Sequence, residues 1–149
     1  MKYYLDTSAL VKRYIPEPGS EHIDRIFTGA LNGENVIAIS YWNIGEAATV
    51  FDKAERKFKS VNATKLLELM LDEFDYLSRS QSIEIDEVSA LSLKASVKLV
   101  LKHHIYIADA FQIVTAAELK AEELLSDDRR LVEAASVEGI KSTLVDKSS

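Results

Sequence analysis

Residues 105–117 read I-Y-I-A-D-A-F-Q-I-V-T-A-A, and Asp109 is the single charge in the run. Ile107, Phe111, Ile113, Val114 and the alanines leave a helix here with almost no polar face. A helix that is apolar nearly all round is a buried one. A buried, unpaired carboxylate costs several kcal/mol or takes up a proton. Asp109 therefore needs a partner, and the best candidate is a metal ion shared with other acids. A helix cap is the plainer alternative, since Asp109 falls in the first turn.

Working outward, residues 86–104 read as a helix with Val88, Leu91, Leu93, Ala95, Leu99 and Val100 as its apolar positions. Residues 123–126 read as a short strand, followed by a helix over 128–136 that Gly139 can close. A last strand is expected at 142–145. Towards the N-terminus, residues 2–6 form a short apolar strand, 8–14 a helical turn and 20–31 a helix. Both prolines, Pro16 and Pro18, fall in one early turn, P-E-P-G-S. Asn32-Gly33-Glu34-Asn35 is a turn before a β-branched run at 36–39. Ser40 then reads as the N-cap of a helix over 41–59. Its core face is assigned to Ile44, Ala47, Phe51, Ala54 and Phe58. The helix at 61–78 should bury Leu66, Leu67, Leu69, Met70, Phe74 and Leu77, and a third strand follows at 82–85. Short strands alternating with helices predict an α/β domain, its sheet mainly parallel with helices on both faces.

The chain has 149 residues, 47% apolar and 28% charged. That fits one domain over 1–149 with a sizeable core. With no cysteine, disulfides and thiolate metal sites are excluded, and a reducing, cytoplasmic setting is compatible. Asp6 interrupts the N-terminus too early for a signal peptide, and no uncharged stretch reaches the ~18 residues of a membrane span. The net charge of -6 argues against holding nucleic acid by nonspecific phosphate contacts alone. It leaves room for a nuclease whose acids are neutralised by divalent cations. Local basic clusters (Lys12-Arg13, Lys53 with Arg56-Lys57 and Lys59, Lys98 with Lys102, Arg129-Arg130) read as solvated helix faces.

In an open α/β sheet, ligands sit beyond the carboxyl ends of the strands. Asp6 ends the first strand, and Asp127-Asp128 end the fourth. Either could be a bland helix cap. Glu46 lies at the edge of the core face of its helix, between Trp42 and Val50. Together with Asp109 these acids form a hard-oxygen set suited to magnesium or manganese, one or two ions, rather than zinc. His103-His104 are adjacent and point different ways, and His22 is remote, so none is taken as a ligand. Such a site can position a water for in-line attack on a phosphodiester, with no covalent protein nucleophile. Ser8 and Ser126 adjoin the acids and are placed to bond a carboxylate, a water or a phosphate.

Four segments now carry a resemblance. Y-L-D-T-S-A-L-V-K, N-I-G-E-A, Y-I-A-D-A-F-Q-I and L-L-S-D-D-R-R-L resemble, in order and spacing, the motifs of PIN-domain proteins. Among these the chain is most similar to the VapC ribonuclease toxins of VapBC toxin–antitoxin pairs. The resemblance places the four site acids at Asp6, Glu46, Asp109 and Asp128, with Ser126 as the motif hydroxyl and Asp127 on the variable position. A one-residue shift would make Asp127 the ligand instead. It implies a three-layer α/β/α fold, magnesium- or manganese-dependent endoribonuclease activity on RNA, and homodimerisation. It also implies inhibition by a small cognate antitoxin whose C-terminal segment occupies the groove.

Other readings compete. A PIN-like scaffold could bind RNA or protein without catalysis, or the chain could be an RNA-processing nuclease outside any toxin–antitoxin pair. A phosphoacceptor receiver domain needs paired acids at the first strand and a mid-chain strand ending in a lone aspartate, which the strand at 82–85 does not supply. A haloacid-dehalogenase-type phosphatase needs an aspartate where Ser8 stands.

Overall fold

The computed structural model describes residues 1–147. Five strands, β1 (Lys2–Leu5), β2 (Val36–Ser40), β3 (Ile83–Asp86), β4 (Glu123–Ser126) and β5 (Ser142–Leu144), form one sheet in the order β3-β2-β1-β4-β5, and every pairing is parallel. The helices are α1 (Thr7–Leu10), α2 (Ser20–Leu31), α3 (Tyr41–Lys57), α4 (Ala63–Arg79), α5 (Ala90–His103), α6 (Ile107–Glu118) and α7 (Arg129–Val137). Short 3-10 turns follow α1 and β5.

The alternation of strand side chains builds a core on each face of the sheet. Leu5, Ile37, Ile39 and Leu125 point to one side, where α1, α2, α3 and α4 supply Leu10, Phe27, Phe51, Met70 and Phe74. Tyr4, Ala38 and Leu124 point to the other, where α6 and α7 supply Ala110, Ile113, Ala116, Leu131 and Ala135. The result is the expected three-layer α/β/α sandwich. As its composition requires, α6 is enclosed: seven of its residues are buried, including Phe111, Ile113 and Ala116.

The structure corrects several local expectations. The helix at 41–59 stops at Lys57, because Phe58 turns extended (φ -128, ψ 122), and the residue is 52% exposed instead of in the core. On α4, Met70, Phe74 and Leu77 share the buried face, and Leu69 falls to the side, exposed. The helix expected from 86 begins at Ala90, where the Ser89 hydroxyl caps it by accepting from the Ser92 N–H. Asp86 goes to β3, which ends there, and residues 87–89 form the connection between the two. A mid-chain strand does end in an aspartate after all, so that particular objection to a receiver domain falls. The Lys12-Arg13 pair is not a solvated face either: Lys12 is 2% exposed, and Arg13 is tied to Glu73 and Asp24.

Candidate active site

In the strand order β3-β2-β1-β4-β5, the chain runs one way from β1 to β2 and the other way to β4. The crevice beyond the carboxyl ends of β1 and β4 is thus the switch point where doubly wound sheets bind ligands. Asp6 leaves β1 there, and Asp128 follows β4. A cleft of about 430 Å³ opens at this point, lined by Asp6, Glu46, Asp109 and Asp128 together with Thr7, Ser8, Lys53 and Gln112. Four chain segments, far apart in sequence, deliver one acid each.

Asp6 is both cap and wall. It is 6% exposed. Its Oδ1 accepts from the Ala9 N–H at 2.9 Å and the Ser8 hydroxyl at 2.7 Å, and its Oδ2 accepts from the Ser126 hydroxyl at 2.5 Å. Both serines thus hold the first acid. They also accept in turn, Ser8 from the Asp127 N–H and Ser126 from the Asp128 N–H, both at 2.9 Å. Burial pushes the Asp6 carboxyl up to about 6; the bonds from Ser126, Ala9 and Ser8 pull against that, and the charge of Asp109 adds to it.

Asp128 is the N-cap of α7, accepting from the Arg130 N–H at 2.9 Å and the Leu131 N–H at 3.4 Å. Asp127 turns the other way. Its Oδ2 meets the buried Lys12 Nζ at 2.5 Å, and that ammonium also reaches Glu17 Oε1 at 2.9 Å and the Pro18 carbonyl at 2.7 Å. Of the doubled aspartates, Asp128 lines the cleft and Asp127 does not.

Glu46 receives the Thr7 hydroxyl at 2.7 Å. Asp109, in the first turn of α6, is half-buried and faces the cleft; it is not enclosed as its helix is. Its carboxyl is also pushed up to about 6, by burial first, then by the charges of Asp128 and Glu46, with Arg130 opposing. The acids are therefore mutually repelling. Among the described residues, however, no three His, Cys, Asp or Glu side chains stand close enough together to hold a metal ion as placed. The expected approach of the four carboxylates, close enough to share one or two divalent ions, is not seen among the described residues. The donor set still fits a hard divalent cation: all oxygen, no histidine, and two carboxyls whose charged forms burial and like charge disfavour. Gathering around an ion would require side-chain rotation.

That repulsion gives a pH prediction. Asp6 and Asp109 keep their protons in the folded chain up to about 6, whereas in the unfolded chain they lose them near 3.8. Between those values the folded state binds more protons, so their contribution to stability falls as pH rises through that window. In EDTA, Asp109→Asn should gain melting temperature over wild type, and the gain should be several degrees larger at neutral pH than near pH 4. A gain independent of pH would show that Asp109 is not repelled in the folded protein.

A buried polar network beneath the cleft was missed in the sequence. The Ser40 N–H donates to Asn43 Oδ1 at 2.7 Å, and Asn43 Nδ2 donates to Thr7 Oγ1 at 3.1 Å and to Gln112 Oε1 at 3.0 Å. The Tyr4 hydroxyl donates to Gln112 Oε1 at 2.5 Å. Asn43 had a local signal, since it stands at the third position of α3 and completes a capping box with Ser40. Gln112 had one too: it is a polar side chain on a helix otherwise called buried.

An all-parallel α/β/α sandwich with carboxylates converging at its switch point defines a class of small proteins with an acidic crevice. The chain belongs to the PIN domain family, whose model matches residues 3–137. No curated protein matches the sequence. Among solved structures, the chain is similar to PAE2754 from Pyrobaculum aerophilum (TM-score 0.67, 17% identity, covering 99% of this chain and 91% of that one). It is also similar to VapC20 from Mycobacterium tuberculosis, a toxin that cleaves the sarcin–ricin loop (0.66, 12%, 89% and 94%). A third is VapBC2 from Rickettsia felis, solved bound to a DNA fragment from its promoter (0.63, 20%, 96% and 98%). At these identities the likeness is one of fold.

Proposed function

We propose that the chain is a magnesium- or manganese-dependent endoribonuclease, the toxin of a type II toxin–antitoxin pair. The observation that carries this reading is the cleft itself, lined by Asp6, Glu46, Asp109 and Asp128 at the switch point of a PIN domain. A divalent ion held there supplies charge neutralisation for a phosphodiester and lowers the pKa of water for its attack. The chain's own residues do the rest. Ser8 and Ser126 fix the Asp6 carboxylate, Thr7 fixes Glu46, and the α7 N-terminus fixes Asp128. Lys53 on the α3 wall is exposed and lies at the cleft mouth, and Arg130 is near enough to Asp109 to lower its pKa. Both cations are suited to RNA phosphates flanking the scissile bond.

The toxin assignment draws on the likeness to VapC20 and VapBC2. On this reading the chain acts in the cytoplasm and is silenced by a small cognate antitoxin. Among the described residues no helix is long and apolar enough to cross a membrane. It also assembles as a homodimer. Exposed apolar side chains on α4 and α5, such as Leu69, Tyr76, Leu91, Val97 and Leu101, favour a partner copy, and the native mass tests it.

The deciding experiment is cleavage of a panel of single-stranded RNAs by purified protein. Internal cuts should appear with magnesium or manganese and vanish in EDTA. Cleavage that persists in EDTA would remove the metal mechanism, and no cleavage of any RNA with either ion would remove the nuclease reading and leave a binding scaffold.

A further inference from the structure

The hydrogen directions in the buried network beneath the cleft are fixed from one end. The Ser40 backbone N–H can only donate, so the Asn43 side chain turns its Oδ1 towards it and its Nδ2 towards Thr7 and Gln112. An Nδ2 donor needs an acceptor, so Gln112 presents Oε1, which also takes the Tyr4 hydroxyl. The other end of the carboxamide, Nε2, is left over. Gln112 is 2% exposed, it lines the acidic cleft, and its Nε2 has no hydrogen-bond partner. A buried donor without an acceptor costs about 1–3 kcal/mol. The network holds Gln112 in this orientation nonetheless.

Each cleft acid but one already has a donor. Asp6 has Ser8, Ala9 and Ser126; Glu46 has Thr7; Asp128 has the first N–H groups of α7. Asp109 shares a hydrogen bond only with the Asp128 carboxyl among the described residues, a contact between two acids that raises its pKa and that fails once both are ionised, and no amide or alcohol group donates to it. It stands three residues before Gln112 on α6, a spacing at which Gln and Asp side chains meet on one helix face. The geometry points to Gln112 as the positioning residue for Asp109: when the cleft takes up a divalent cation, Gln112 Nε2 donates to the Asp109 carboxylate and orients it towards the ion. This rests on the metal-binding reading of the cleft. Groups that orient a ligand in this way change metal affinity by roughly 10- to 100-fold.

The test measures Mn²⁺ affinity by calorimetry. Gln112→Met alone would take the shorter of the Tyr4 hydroxyl's two acceptors and leave it the 3.3 Å contact with Asn43 Oδ1, so the comparison is made in a Tyr4→Phe background. Tyr4→Phe/Gln112→Met should bind Mn²⁺ about tenfold more weakly than Tyr4→Phe, with both proteins folded by circular dichroism. A crystal structure of the Mn²⁺-loaded wild type should place Nε2 within about 3 Å of an Asp109 oxygen. Equal Mn²⁺ affinity of the two variants, or a loaded structure with Nε2 on a substrate-facing water or still unpaired, overturns the role of Gln112 and leaves the metal site standing. Wild type that binds no Mn²⁺ overturns both readings. If the double variant does not fold, the loaded wild-type structure decides alone.

Discussion

Asp6→Asn should fold as well as wild type and lose cleavage by about a thousandfold, equivalent to about 4 kcal/mol of transition-state stabilisation. The two halves of that result have separate causes. Asn is as good an N-cap as Asp, so the Ala9 N–H keeps its acceptor. The substitution also removes a buried charge that burial and Asp109 both disfavour, so the metal-free melting temperature should hold or rise. Catalysis loses the charge deepest in the cleft, held by three donors and therefore the best oriented towards a cation. Single-turnover cleavage under magnesium, beside a thermal melt in EDTA, reads both. A folded Asp6→Asn protein that cuts RNA at the wild-type rate would refute the metal mechanism, and any activity would have to be a contaminant.

How far the sequence discloses this site depends on how local each signal is. Asp109 announces itself because it interrupts an apolar helix, and local pattern reports that; Asp6 and the Asp127-Asp128 pair stand at strand ends where a plain helix cap reads as well, and the family motif was needed to choose Asp128. Glu46 needed the family motif, since an acid at the edge of an amphipathic face is ordinary. What pattern could not show was which groups answer them. The Ser126 hydroxyl meets Asp6 across 120 residues of sequence, Tyr4 meets Gln112 across 108, and Thr7 meets Glu46 across 39. These pairings exist only once β1, β4, α3 and α6 are side by side. Lys12 is the clearest failure. In a run with Arg13 it looked solvated, yet the turn after α1 carries it inward to Asp127 and Glu17. The argument that singled out Asp109 applied equally to Gln112, one turn along the same buried helix. Only the charge made the first conspicuous.

The doubled aspartate offers the cleanest separation of roles, because two adjacent and identical side chains face opposite environments. Asp128→Asn should cut cleavage by about a hundredfold or more while the fold holds. Asn still caps α7, and the repulsion between Asp128 and Asp109 is relieved. Asp127→Asn should do the reverse. Lys12 would keep Glu17 and the Pro18 carbonyl but lose the charge at its third contact, inside a pocket where it is nearly without solvent. Losing one bond to a buried charged group costs about 1–3 kcal/mol, so this variant should melt several degrees lower. Its cleavage rate per folded molecule should stay within a fewfold of wild type, because Asp127 does not line the cleft. The measurement is a pair of melts and a pair of single-turnover rates on the two variants. Equal catalytic losses would mean that the Lys12–Asp127 pair holds the α7 N-terminus rigidly enough for its loss to displace Asp128. A loss confined to Asp127→Asn would make Asp127 the ligand, with Lys12 its resting partner in the metal-free cleft.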